Sequence, residues 1–161
     1  MVVQFERSLT ITAISYLLAP KPLESTSPIM DHHIFPDSKI PKVYGAYSHA
    51  VVANGFAFIA GQTARDAVTG KVIDGDISQQ TTRCLEVIGE ILNELGLTLK
   101  DIVRSTVYLS NIEDFDAMNA VYAELVPSPY PARSTPEVKL PFGALVGIEV
   151  TAVMPSANRD A

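Results

Sequence analysis

The feature that most restricts the fold is a two-residue turn, Asn54-Gly55, between two runs of strand-forming residues. A type I′ hairpin turn needs positive φ angles at both central residues, and asparagine followed by glycine tolerates them best. The flanking runs, residues 43–53 and 56–61, are rich in the residue types that β-strands favour. The sequence therefore predicts an antiparallel hairpin near the start of the folded domain.

A long amphipathic helix is predicted after a polar loop at residues 63–75. Asp76 is placed to cap its first turn, Gln79 to complete a capping box and Gly96 to end the helix. Apolar residues recur at helical spacing along one face: Cys84, Ile88, Ile91, Leu92 and Leu95. Because Cys84 lies on this stripe, it is predicted to be a core residue rather than a nucleophile.

The remaining elements complete an α+β pattern. A third strand is predicted over residues 102–109, and Asn111 is placed to cap a second helix that ends before Pro127. One face of that helix is apolar: Phe115, Met118, Tyr122 and Leu125. Two last strands are predicted at residues 133–139 and 145–154. The order β-β-α-β-α-β-β indicates a sheet with two helices packed on one face.

The other face of this sheet is expected to stay uncovered by the chain itself. We predict that it carries apolar side chains: Val107, Val138, Val146 and Val150. An apolar face that one chain cannot cover is generally covered by another copy. A homo-oligomer is therefore expected.

The two ends of the chain differ in character from the domain at residues 42–155. Residues 1–41 are interpreted as a partly disordered N-terminal extension, and residues 156–161 as a C-terminal tail. Residues 9–19 are mildly apolar but lack the flanks of a signal or transit peptide, and no run is long enough to span a membrane. We expect a cytoplasmic protein, with a mitochondrial location if residues 1–30 are a degenerate targeting segment.

Charge and candidate ligands narrow the function further. The net charge is −6 and lysine and arginine form no cluster, which disfavours a nucleic-acid partner. His32 and His33 lack a third metal ligand at a recognisable spacing, so no metal site is predicted, and no cofactor is expected.

Arg133, which follows a proline-rich turn, is a candidate residue for binding an anion. Arginine can grip a carboxylate through two parallel hydrogen bonds.

Four separated motifs carry a family resemblance. They are GAYSHA at residues 45–50, AGQ at 60–62, NAVY at 119–122 and PARST at 131–135. In this order they resemble the Rid (YjgF/YER057c/UK114) family, whose best-known members are imine deaminases, over about residues 42–154. The resemblance implies a chorismate-mutase-like fold and a homotrimer with pockets at the subunit interfaces.

The resemblance also implies roles for particular residues. Arg133 would bind the substrate carboxylate, Tyr47 would line the pocket and orient the substrate as a catalytic residue, and Asn119 would support the pocket. Gly147 and Glu149 are also predicted to contact the substrate. Gly61 and Thr135 match positions whose backbone groups approach the ligand. The implied reaction is hydrolysis of an enamine or imine, in which water attacks a 2-imino acid and ammonia leaves to give a 2-oxo acid.

One departure from the family pattern concerns the catalytic glutamate. The aligned position is Gly147, or Ile148 when counted forward from Arg133, and neither has a carboxylate. Glu149 is on the same strand face as Gly147, but about 6.5 to 7 Å farther along. His49 stands where the family usually has glutamine and is a candidate replacement base, or else a rim histidine.

The sequence is also compatible with two other functions. In the first, the chain is a divergent member that binds or converts another small carboxylate metabolite, for example in a specialised biosynthetic pathway. In the second, it is a ribonuclease or translation inhibitor, as an older label of the family suggests. The acidic composition makes this second function the least favoured.

Overall fold

The computed structural model describes residues 30–35 and 39–155. These form one six-stranded sheet with two α-helices, as the family resemblance implied for the fold class. The elements are β1 (Met30–His33), β2 (Ala50–Ala53), β3 (Phe56–Thr63), α1 (Ile77–Glu94), β4 (Ile102–Leu109), α2 (Phe115–Leu125), β5 (Ala132–Ser134) and β6 (Val146–Val153). The sheet order is β1-β2-β3-β6-β4-β5. Among the strands of the described residues, only β4 and β5 run parallel.

The hairpin turn is confirmed. Asn54 and Gly55 have φ angles of 51° and 78°, and Ala53 pairs with Phe56 across the turn. The predicted start of the first strand at residue 43 is wrong, because β2 begins only at Ala50. The preceding chain turns instead, and the Tyr47 amide donates to the Gly45 carbonyl at 2.9 Å.

An additional strand, β1, lies within the region predicted as an extension. It pairs antiparallel with β2, and its residues His32 and His33 lie opposite Val51 and Ala50. Side chains alternate along a strand, so His32 and His33 point to opposite faces of the sheet. The rest of the predicted extension at residues 1–29 and 36–38, and the predicted tail at 156–161, lie outside the described residues.

The predicted boundaries of α1 are confirmed. Asp76 accepts from the Gln79 amide at 2.9 Å, and the Gln79 side chain accepts from the Asp76 amide at 3.0 Å. Gly96 follows the helix with a φ angle of 71°, the left-handed conformation that glycine favours. The Cys84 thiol is fully buried, and burial raises its pKa far above the usual range. It is a core residue, as predicted.

Two local predictions in the second half need correction. Asn111 caps a short 3-10 turn, Ile112–Asp114, and α2 itself begins at Phe115. The strand predicted at residues 133–139 is shorter, because β5 covers only Ala132–Ser134. Beyond it the chain keeps a single bridge, between Leu109 and Glu137.

The valines predicted for the uncovered face mostly lie on the opposite one. Val107, Val146 and Val150 are 0%, 0% and 4% exposed and belong to the core with α1 and α2. Val138 is half-buried and follows β5 outside any strand. The strands carry apolar residues on both faces, so their alternation alone did not show which face the helices cover.

The face opposite the helices, here called the open face, has a graded composition. One row of paired residues is largely apolar: Met30, Ala53, Phe56 and Val153. The next row is mixed: His32, Val51, Phe58, Thr151 and Arg104. Phe58 remains 48% exposed. Neither α1 nor α2 has the length and hydropathy that crossing a membrane requires.

Candidate ligand site around Arg133

Arg133 is positioned by the edge of the sheet and by α2. It pairs with Ser105 of β4 in the parallel β4–β5 ladder. Its Nη2 donates a hydrogen bond to Oδ1 of Asn119 at 2.7 Å. The guanidinium carbon lies 4.6 Å from the ring centroid of Tyr122 and 5.7 Å from that of Phe115. Three side chains of one helix therefore hold the guanidinium in place.

No acidic side chain in residues 30–35 and 39–155 pairs with the charge of Arg133. Within the described residues it forms no salt bridge, and its one side-chain hydrogen-bond partner is a neutral amide. Burial raises the pKa of the Tyr122 phenol, against the opposing effects of its hydrogen bond with Ser105 and of the Arg133 charge. The phenol is therefore neutral. A half-buried cation held only by neutral groups favours an anionic ligand.

A cavity of about 410 Å³ opens beside the guanidinium. It is lined by Asn119, Tyr122, Ala123, Tyr130, Pro131 and Arg133. Its volume falls in the range of small-molecule sites, which is about 300 to 1,000 Å³. The cavity combines one cation, one amide and two aromatic rings. That combination suits a small carboxylate.

Tyr47 lines a different cavity, of about 680 Å³, on the open face. This cavity includes His32, Ser48, Val51 and Phe58, but not Arg133. The two residues that the resemblance assigns to one pocket are therefore not brought together within a single chain.

The geometry of His49 argues against the predicted base role. The imidazole is 2% exposed. Its Nδ1 accepts from the Phe35 amide at 3.0 Å, and its Nε2 lies 3.0 Å from the Pro41 carbonyl oxygen, to which it donates. Both nitrogens are thus engaged by the backbone. Through these two hydrogen bonds, His49 anchors the segment before β2. Neither ring nitrogen is available to accept a proton from water.

Gly147 leaves a gap that Leu140 partly fills. A Cβ atom at Gly147 would lie 3.3 Å from Cδ2 of Leu140 and 3.6 Å from Cγ2 of Thr63. Gly147 is buried and pairs with Tyr108 of β4. A side chain at the position aligned with the family's glutamate would therefore contact neighbouring apolar groups.

Glu149 is engaged elsewhere on the open face. Its Oε1 accepts from the Tyr108 hydroxyl at 3.0 Å. Burial and this hydrogen bond raise the pKa of Tyr108. Glu149 lines a small cavity of about 180 Å³ together with Arg104 and Phe58. It does not line the Arg133 cavity.

Gly61 and Thr135 do not line the Arg133 cavity either. Gly61 is exposed at an irregularity of the β3–β6 ladder, and Thr135 is half-buried directly after β5. Sequence reasoning placed Tyr122 on the apolar helix stripe and in the NAVY motif, but it predicted no contact with a ligand for Tyr122 or Tyr130, which both line the cavity. Tyr130 adjoins the PARST motif, and this proximity was the available signal.

The comparisons with known proteins decide the family. The family model described as Endoribonuclease L-PSP matches residues 38–154. The chain belongs to the Rid family. A RutC family protein of Pyrococcus abyssi is 44% identical over 115 residues, which cover 71% of this chain and 91% of that protein. The match to the family model thus covers nearly all of the described residues.

Two further relatives bear on chemistry. The 2-iminobutanoate/2-iminopropanoate deaminase of Capra hircus is 37% identical over 121 residues, covering 74% of this chain and 88% of that protein. The crystal structure of E. coli TdcF with bound serine matches with a TM-score of 0.70 and 30% identity, covering 76% of this chain and 98% of that one. The relatives of this chain thus include an imine deaminase and a structure that holds an amino acid.

Proposed function

We propose that this Rid protein hydrolyses 2-imino acids to 2-oxo acids and ammonia, with Arg133 binding the substrate carboxylate. The observation that supports the proposal most is the guanidinium at the 410 Å³ cavity, held by Asn119 and by two aromatic rings, with no carboxylate partner among the described residues. A bidentate hydrogen bond to the substrate would complete its coordination. The similarity to a named imine deaminase supports the same reaction.

We further propose that the catalytic pocket forms between copies of the chain. Arg133 and Tyr47 line separate cavities, and Tyr47 shares its cavity with the exposed Phe58 of the open face. If the open face of one copy packs beside α2 of the next, Tyr47 approaches the Arg133 of its neighbour. A closed ring of three copies, as the family resemblance implies, would form three such pockets.

The reaction is tested by ammonia release from freshly generated 2-iminobutanoate. The protein is expected to accelerate release above the spontaneous rate, and 2-oxobutanoate is expected to form in equal amount. Spontaneous hydrolysis without protein is the baseline, because the activated C=N bond also reacts in water alone. Release at the baseline rate would contradict the proposed reaction.

The gap at Gly147 favours a second candidate, a pocket rebuilt to bind or convert a different small carboxylate. Leu140 fills part of the space where the family's glutamate would stand. A pocket without that carboxylate, and with Leu140 beside the glycine, could admit a ligand of different shape. The substrate would still be expected to carry a carboxylate for Arg133.

Restoring the glutamate separates these two candidates. In Gly147→Glu alone, the new Cβ would lie 3.3 Å from Cδ2 of Leu140, so the Leu140 side chain would have to shift. The matched variant is therefore Gly147→Glu combined with Leu140→Ala, compared with Leu140→Ala alone. We expect imine hydrolysis to rise at least about tenfold, since general acid–base help is typically worth about 10² to 10⁴. An unchanged rate in a folded double variant would favour the rebuilt pocket.

We propose that the protein acts in the cytoplasm on a free metabolite, with no nucleic-acid partner. The family model is described as an endoribonuclease, but the net charge of −6 disfavours binding of this chain to the phosphate backbone of a nucleic acid.

A further inference from the structure

The cavity that contains Tyr47 also contains a histidine that lies outside the residues matched by the family model. His32 belongs to β1, whereas the family model begins at residue 38. His32 lines the same cavity of about 680 Å³ as Tyr47 and Ser48. Strand β1 therefore adds a titratable side chain to the proposed pocket.

Its orientation follows from the sheet register. His32 pairs with Val51, which in turn pairs with Phe58 on the open face. His33, the next residue, points to the helix face, where its ring stacks on Phe35 at a centroid distance of 5.7 Å. Only the first histidine of the pair faces the cavity.

A hydrogen bond with Ser48 orients the His32 ring. Its Nδ1 lies 3.4 Å from Oγ of Ser48. When Nδ1 carries the proton and donates to Ser48, Nε2 is the basic nitrogen. His32 makes no other hydrogen bond within the described part of the chain, so Nε2 has none to give up. A neutral imidazole with a basic Nε2 is a general base suited to neutral pH.

We propose that His32 is the catalytic base that replaces the glutamate missing at Gly147. This rests on the proposed imine hydrolysis. Nε2 of His32 removes a proton from a water molecule as the water oxygen bonds to the imine carbon and the C=N electron pair moves to nitrogen. The imidazolium returns the proton to that nitrogen, which gives the carbinolamine. Nε2 then takes the proton of the carbinolamine hydroxyl and passes it to the amine nitrogen as the C–N bond breaks and the C=O bond forms, which leaves a 2-oxo acid and ammonia.

Two other side chains that could act as the catalytic base, His49 and Glu149, fit this role less well. Both nitrogens of His49 are bonded to the backbone. Glu149 accepts from Tyr108 and lines a separate cavity. His32 is exposed, lines the Tyr47 cavity and has a basic nitrogen available.

The test compares His32→Gln with His33→Gln, which removes the neighbouring histidine from the opposite face. Glutamine keeps a polar side chain but cannot take up the proton, so His32→Gln is expected to lower kcat about 100-fold with little change in KM. His33→Gln is expected to keep the wild-type kcat. Ser48→Ala should lose part of the rate, and Ser48→Thr should retain it. Wild-type kcat in His32→Gln would overturn the proposal.

Chemical rescue separates a base from a structural role. Added imidazole is expected to raise the rate of His32→Ala but not that of Arg133→Ala. Loss of activity in both His32 variants without rescue would give His32 a structural role and overturn the proposal.

A wild-type protein without imine hydrolysis would mark failure of the proposed function itself. The placement of His32 is then tested by NMR titration with 2-oxobutanoate, with ring signals assigned from the two glutamine variants. A shift of the His32 signals alone would support its place in a ligand pocket. Unchanged His32 signals would overturn it.

Discussion

Arg133→Ala is expected to remove nearly all imine hydrolysis. The guanidinium is half-buried, is fixed by Asn119 at 2.7 Å and has no acidic partner among the described residues. Truncating one side of a buried, hydrogen-bonded charge pair costs about 2–5 kcal/mol, which is about 30-fold to several thousand-fold in kcat/KM. Arg133→Lys should retain only part of the activity, because an ammonium cannot reproduce the planar fork.

The control for this loss of activity is the removal of a positive charge that does not line the Arg133 cavity. Lys100→Ala removes a positive charge from an exposed turn that precedes β4 and is expected to keep wild-type kcat/KM. Thermal unfolding of both variants checks that Arg133→Ala is folded, because the guanidinium also packs on Tyr122. A folded Arg133→Ala protein with wild-type kcat/KM would refute the carboxylate clamp.

Tyr47→Ala is also expected to lose activity, and mixing it with Arg133→Ala is expected to restore part of the activity if the pocket lies between copies. Arg133→Ala keeps Tyr47 and Tyr47→Ala keeps Arg133, so a pocket shared between neighbours can take one intact residue from each. After joint unfolding and refolding at equal amounts, about one quarter of the pockets in a closed ring would contain both residues. The measurement is kcat per pocket before and after mixing.

The control mixture pairs Arg133→Ala with the double variant Arg133→Ala/Tyr47→Ala. No copy in it contains Arg133, so it should stay inactive. If the first mixture also stays inactive although size measurements show mixed assemblies, the pocket is contained in one chain and the interfacial proposal fails.

The parts of the fold that sequence reasoning predicted well depend on local chemistry. Asn54-Gly55 and the Asp76–Gln79 capping box act within four residues, and the structure confirms both. The parts it missed depend on distant partners. Nothing in the four residues of β1 indicates a strand until β2 is there to pair with it.

The same distinction applies to the candidate site. Motifs pointed to Arg133 and Asn119 together, and the structure brings them into hydrogen-bond contact. The motifs could not show that His49 is fastened by Phe35 and Pro41, because those contacts depend on the path of the chain before β2. Nor could they show that Leu140 fills the gap at Gly147.

The most direct test of the proposed site is a crystal structure with the product 2-oxobutanoate. The carboxylate is expected on the Arg133 guanidinium of one copy, and the carbonyl carbon is expected to face Tyr47 and His32 of the next. A product carboxylate bound away from Arg133, or a pocket built from a single chain, would contradict the account.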